Sequence, residues 1–135
     1  MFIQQRPLTR GRCFYFIFNP EFIQMNIEDI REYVLQKEEV TEGFPFGEGT
    51  LVFKVKNKIF LLISLDEPDL RFNVKCDPAR AIELREEFPE QVLPGYHMNK
   101  KHWNTVVTAG LKPVLLKQMM DHSYDLVATG NKKKT

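Results

Sequence analysis

Apolar side chains recur along this chain with two different periods. Over residues 26–37 they fall at Ile27, Ile30 and Val34, the one-sided stripe of an amphipathic helix. Asn26 can cap that helix, Glu28 and Asp29 suit its first turn, and Met25 and Ile30 have the spacing of a hydrophobic staple. Beyond Pro45, Gly47 and Gly49 the period becomes two. Leu51, Phe53 and Val55 alternate with Val52, Lys54 and Lys56, and a turn at Lys56-Asn57 leads into an apolar run, Lys58–Ser64. Residues 66–69 turn the chain again, after which Leu70, Phe72, Val74 and Cys76 alternate with Arg71, Asn73 and Lys75. The middle run is apolar on both faces, as a central strand would be. Asp77-Pro78 is an N-cap followed by an N1 proline and predicts a second helix to about Phe88, where Pro89 stops it. A hairpin follows, with Trp103–Val107 as its second half. Pro113 opens a third helix that buries Leu116, Met119 or Met120, and Val127. The order α-β-β-β-α-β-β-α predicts an α+β fold: a two-layer sandwich in which an antiparallel sheet carries its helices on one face.

The 135 residues fit one domain, and 43% hydrophobic with 27% charged content is that of an ordinary globular chain. Residues 1–24 read differently. Arg6, Arg10 and Arg12 precede a short apolar run at residues 13–18 that is too short to span a bilayer and is not followed by a small-residue cleavage site. They are expected to be an extension without its own fold upstream of a start at Met25, with a packed arm or a targeting segment as the alternatives. Residues 25–130 form the single domain, and residues 131–135 a basic tail. Without Arg6, Arg10, Arg12 and Glu21, the formal charge of +1 becomes −1, so nucleic-acid binding would require a local patch. Cys13 and Cys76 form no C-x-x-C pair, which points to a reducing, cytoplasmic location and away from a disulfide scaffold.

Chemistry is concentrated in residues 94–104, which hold two of the three histidines, the only tryptophan, two adjacent lysines and two asparagines behind a Pro-Gly turn. His97 and His102 are five apart, which fits neither a helical zinc pair nor one face of a strand, so no metal is expected. No nucleophile elbow, phosphate loop or dinucleotide glycine pattern occurs, and neither catalysis nor a cofactor is expected. Lys100 and Lys101 can neutralise phosphates, His102 and Asn104 can hydrogen-bond, and Trp103 can stack. Lys54, Lys56, Arg71 and Lys75 add a basic sheet face opposite the apolar rows. Seven acidic side chains between Glu28 and Glu48 face only Arg31 and Lys37, so charge is segregated along the chain.

The runs Phe44-Pro45-Phe46-Gly47, Leu51-Val52-Phe53-Lys54-Val55 and Asn73-Val74-Lys75-Cys76-Asp77-Pro78 are similar to those of the YjbR/MmcQ family of small bacterial proteins. So are the whole of residues 94–104 and Asp121-His122-Ser123-Tyr124. The resemblance spans residues 25–127. It implies a secretion-chaperone-like α+β fold and a DNA-binding or regulatory, non-enzymatic role. It carries over Lys100, Lys101, His102, Trp103 and Asn104 as contacts, with Lys75 beside them and no cofactor. Tyr96, His97, Asn99, His122 and Tyr124 are the expected lining of a ligand pocket. The rival reading is an adaptor for a protein or small ligand using the Tyr96/Trp103 surface, and an enzyme is third. DNA, with a protein as the alternative partner, and no membrane are the expected associations.

Overall fold

The computed structural model describes residues 24–95 and 98–129. In chain order they form α1 (Ile27–Leu35), β1 (Val40–Gly43), β2 (Thr50–Val55), β3 (Lys58–Ser64), β4 (Arg71–Lys75), α2 (Pro78–Glu87), β5 (Val92–Pro94), β6 (Trp103–Val107) and α3 (Pro113–Ala128). The strands make one antiparallel sheet in the order β1-β2-β3-β4-β6-β5. This is the α+β arrangement that the pattern predicts, with one further edge strand, β1, ahead of the meander. The upstream extension and the lysine tail lie outside the described residues.

Local chemistry sets the element ends. Asn26 Oδ1 accepts the Asp29 N–H at 2.8 Å while the Asp29 carboxylate accepts the Asn26 N–H at 3.0 Å, a reciprocal cap on α1. Met25 and Ile30 are both buried, as a staple requires. Asp77 accepts from the Ala79 and Arg80 amides ahead of the Pro78 that opens α2. Lys56 and Asn57 both have positive φ, 54° and 67°, so β2 and β3 are joined by the two-residue turn whose twist matches paired strands.

The core lies between the sheet and the helices. Leu51, Phe53 and Val55 of β2, Leu61 and Ile63 of β3, and Phe72 and Val74 of β4 meet Ile30 and Val34 of α1, Ala81 and Leu84 of α2, and Leu116, Met119, Met120 and Val127 of α3 in one cluster. The register shifts between Phe53 and Lys54, which pair with Leu61 and Ile59, so Phe60 is a bulge residue. The bulge turns Phe60 into the core, where its ring meets Tyr124 edge-on at 5.5 Å.

α1 is tied to its surroundings by charge. Arg31 bridges Glu28 and Glu42 of β1, and the Arg31 hydrogen bond holds the Glu42 carboxyl below its ordinary range. Tyr33 donates to Asp121 of α3, and burial followed by this bond pushes its phenol up to about 12.

Candidate functional site

The β5–β6 connection places the chemically rich segment at one end of the sheet. The Gly95 N–H donates to Trp103 O at 2.9 Å, and a β-carbon on Gly95 would lie 2.7 Å from Trp103 Cβ, so only glycine fits that close approach. Asn99 organises the turn that follows: its carbonyl accepts from His102 and Trp103, and its side chain accepts the Lys101 N–H at 2.9 Å. The Cys76 N–H donates to His102 O at 2.7 Å and extends the β4–β6 pairing. His102 is half-buried and Lys100 and Lys101 are exposed, so the turn carries two lysines outward on a constrained backbone.

Strand register then decides what shares a face with that turn. Lys54 pairs with Ile59 and Lys75 with Trp103, which puts Lys54, Ile59, Lys75 and Trp103 along one cross-strand row on the face opposite α1, α2 and α3. Trp103 is half-buried there, beside Lys75. Among the described residues Lys54, Lys75, Lys100 and Lys101 form no ion pair.

Two of the cations expected on this face are otherwise engaged. Arg71 is neutralised by Asp69, with Nε and Nη2 on the two carboxylate oxygens at 2.9 and 3.1 Å; the same bonds hold the Asp69 carboxyl low and raise the guanidinium. Lys56 leaves the face at its turn, and its Nζ donates to Ala128 O at the C-terminal end of α3. The row next to the lysines is not basic either: Val52, Leu62, Asn73 and Thr105 pair in sequence across four strands, and Val52, Leu62 and Thr105 are buried. The expected basic sheet face is therefore a basic edge.

Asn104 is a correction of another kind. It is 1% exposed and cannot reach a base edge, because alternation along β6 turns it toward α2 while Trp103 points the other way. Its Oδ1 accepts the Arg85 Nε–H at 2.8 Å. Arg85 also donates to Trp103 O at 3.2 Å and to Lys100 O, so one guanidinium from α2 fixes both the strand start and the lysine turn. The sequence holds the signal for this clamp: Ala81, Leu84, Arg85 and Phe88 occupy i, i+3, i+4 and i+7, and an arginine in an apolar stripe needs buried acceptors.

Of the expected ligand-pocket residues, Asn99, His122 and Tyr124 are not brought together. Asn99 is spent on its turn. Tyr124 packs on Phe60 and donates to Glu38 O at 2.8 Å, on the α1 side of α3. His122 lies on α3 near the start of α2, where Nε2 accepts the Asp77 N–H at 3.2 Å. Tyr96 and His97 lie outside the described residues. Among the described residues no group of three His, Cys, Asp or Glu side chains can hold a metal ion, and no helix is long and apolar enough to cross a membrane.

Comparison with known proteins gives a consistent result. The uncharacterized protein YbdF of Escherichia coli O157:H7 is 37% identical over 92 residues, covering 67% of this chain and 75% of YbdF. The crystal structure of a Deinococcus radiodurans protein with a DUF419 domain superposes with a TM-score of 0.73 at 38% identity, covering 87% of this chain and 84% of that one. A Pseudomonas syringae protein shares the fold at TM-score 0.62 and 23% identity, over 75% of this chain and 97% of its own. The YjbR family model matches residues 35–126, a span that runs from the end of α1 through the clamped turn and most of α3. The chain belongs to the YjbR family.

Proposed function

We propose that this protein is a non-enzymatic, cytoplasmic DNA-binding module that grips DNA locally, at the end of its sheet where β6 begins. The observation that carries this reading is the row Lys54, Ile59, Lys75 and Trp103, continued by Lys100 and Lys101 on the clamped turn. Lys75, Lys100 and Lys101, without ion-pair partners among the described residues, flank one half-buried indole, and Lys54, equally unpaired, lies three strands along the same row. That combination suits phosphates flanking a stacked or wedged base. The Cys76 thiol supports the non-enzymatic part: burial pushes it up to about 11, away from nucleophilic reactivity.

Titration with a mixed-sequence duplex, read through Trp103 fluorescence, tests the proposal. Four phosphate contacts give a slope of about −3.6 in log affinity against log salt, a loss of ~150-fold between ~50 and ~200 mM. Lys100→Glu with Lys101→Glu should at least halve that slope and leave the melting temperature unchanged. Absence of binding at low salt, or binding indifferent to the double variant, rules the reading out. Salt-tolerant association with a protein that is lost on Trp103→Ala would favour the adaptor reading instead.

A further inference from the structure

A cleft of about 610 Å³ lies on the other side of the sheet from Trp103, between α2, α3 and the ends of β4 and β6. Its walls are apolar, from Leu84 on α2 and Leu115, Met119 and Leu126 on α3, while Asn104 and Cys76 bring polar atoms from the sheet side. The amide of Asn104 has one possible orientation. A guanidinium only donates, so the carbonyl oxygen must face Arg85 and the NH2 must point away from it. That Nδ2 is buried and has no hydrogen-bond partner among the described residues. If holding Arg85 were the whole role of residue 104, aspartate would do it with charge complementarity and leave no donor stranded.

The rim supplies the charge. Asp77 is occupied in capping α2, and Arg80 reaches the rim with one exposed contact, to Glu83 at 3.3 Å. His122 accepts the Asp77 N–H through Nε2 at 3.2 Å. The cleft therefore offers apolar walls, an unused amide donor and an arginine at its mouth.

We propose that this cleft binds a small apolar carboxylate, one oxygen of which accepts the Nδ2–H of Asn104. Binding is non-covalent, with the hydrocarbon body against Leu115 and Met119 and the charge balanced by Arg80. The site uses none of the turn lysines and is independent of the DNA surface.

Sodium benzoate is a suitable probe, with benzamide and toluene as comparison arms, titrated into the full chain and followed by 1H–15N correlation spectra. Benzoate should shift the Asn104 side-chain NH2 pair with a Kd of ~0.1–10 mM, benzamide should do so more weakly, and toluene should leave that pair in place. Asn104→Asp, which keeps an acceptor for Arg85, should weaken benzoate at least ~10-fold. Leu126→Phe, which fills the cleft without touching the amide, should abolish it. An Asn104 NH2 pair unmoved by benzoate up to about 20 mM, or equal shifts with toluene, or unchanged affinity in both variants, overturns the assignment.

Discussion

Replacing Ser123 with alanine should cost this fold far more than the loss of one oxygen suggests. Ser123 is fully buried on α3. Its hydroxyl donates to Phe60 O at 2.5 Å and accepts the Lys75 N–H at 2.9 Å. Leu61 and Val74 are the last pair of the β3–β4 ladder at this end, so Phe60 and Lys75 are the groups that the next rung would join. The bulge at Phe60 breaks that rung, and the hydroxyl stands in for it. Alanine leaves a carbonyl and an N–H stranded, at ~1–3 kcal/mol each. It recovers about 0.5 kcal/mol through better helix propensity. The net loss is ~1.5–5.5 kcal/mol, or roughly 6–22 °C in Tm for a domain of this size. Urea and thermal melts of Ser123→Ala, beside an exposed-site control such as Gln118→Ala, measure it. A Ser123→Ala midpoint within about 0.5 kcal/mol of wild type would show that the strands close without the hydroxyl and would refute the reasoning.

Two further predictions follow from the same geometry. Arg85→Ala should lose ~2–4 kcal/mol of stability, because Asn104 Oδ1 and the Trp103 carbonyl lose a charged donor; amide exchange over residues 98–103 should accelerate more than in the core strands, and uniform acceleration would count against the clamp. Alkaline pH should destabilise the fold over a defined window. Burial, with Asp77 adding to it, raises Cys76 from 9.0 to about 11, and burial with the Asp121 bond raises Tyr33 from 10.0 to about 12. Both groups bind their protons more tightly when folded, so their contributions are intact below pH 9 and are lost as pH rises through 11 and 12. Urea midpoints that stay level through that range contradict the assignment.

What was legible in the sequence follows from where the decisive interactions are local. The caps at Asn26 and Asp77, the Lys56-Asn57 turn and the alternation in β2 and β4 are decided within a few residues, and each is visible as a residue type at a fixed spacing. β1 is not: Val40–Gly43 has little alternation and becomes a strand only because β2 offers an edge and Arg31 reaches Glu42. The candidate site divides the same way. Alternation puts Lys54 and Lys75 on one face, and the strand register adds Trp103 to it. It cannot show that Asp69 cancels Arg71 or that Lys56 ends on an α3 carbonyl, because those partners are chosen by tertiary approach. Asn104 looked like a surface contact because its neighbours are polar; its burial is set by Arg85, nineteen residues upstream on α2.

The near-neutral charge of the chain bears on DNA binding through distance. Seven of the acidic groups lie on α1 and around β1, at one edge of the sheet, whereas Trp103, Lys100 and Lys101 sit at the start of β6, four strand spacings away. Four spacings are about 19 Å. The Debye length is ~8 Å at physiological ionic strength and ~30 Å at 0.01 M, so the acidic edge is screened from the lysine turn in the first condition and felt in the second. The logarithmic salt plot should then flatten below ~0.02 M, where repulsion from the far edge offsets the gain from phosphate contacts. Glu32→Gln with Glu38→Gln, both exposed and outside the Arg31 bridge, separates the two effects. The double variant should tighten DNA binding at ~10 mM salt and leave it unchanged at ~150 mM. An equal gain at both salts would mean that DNA lies along the α1 edge itself and that the lysine turn is not the contact.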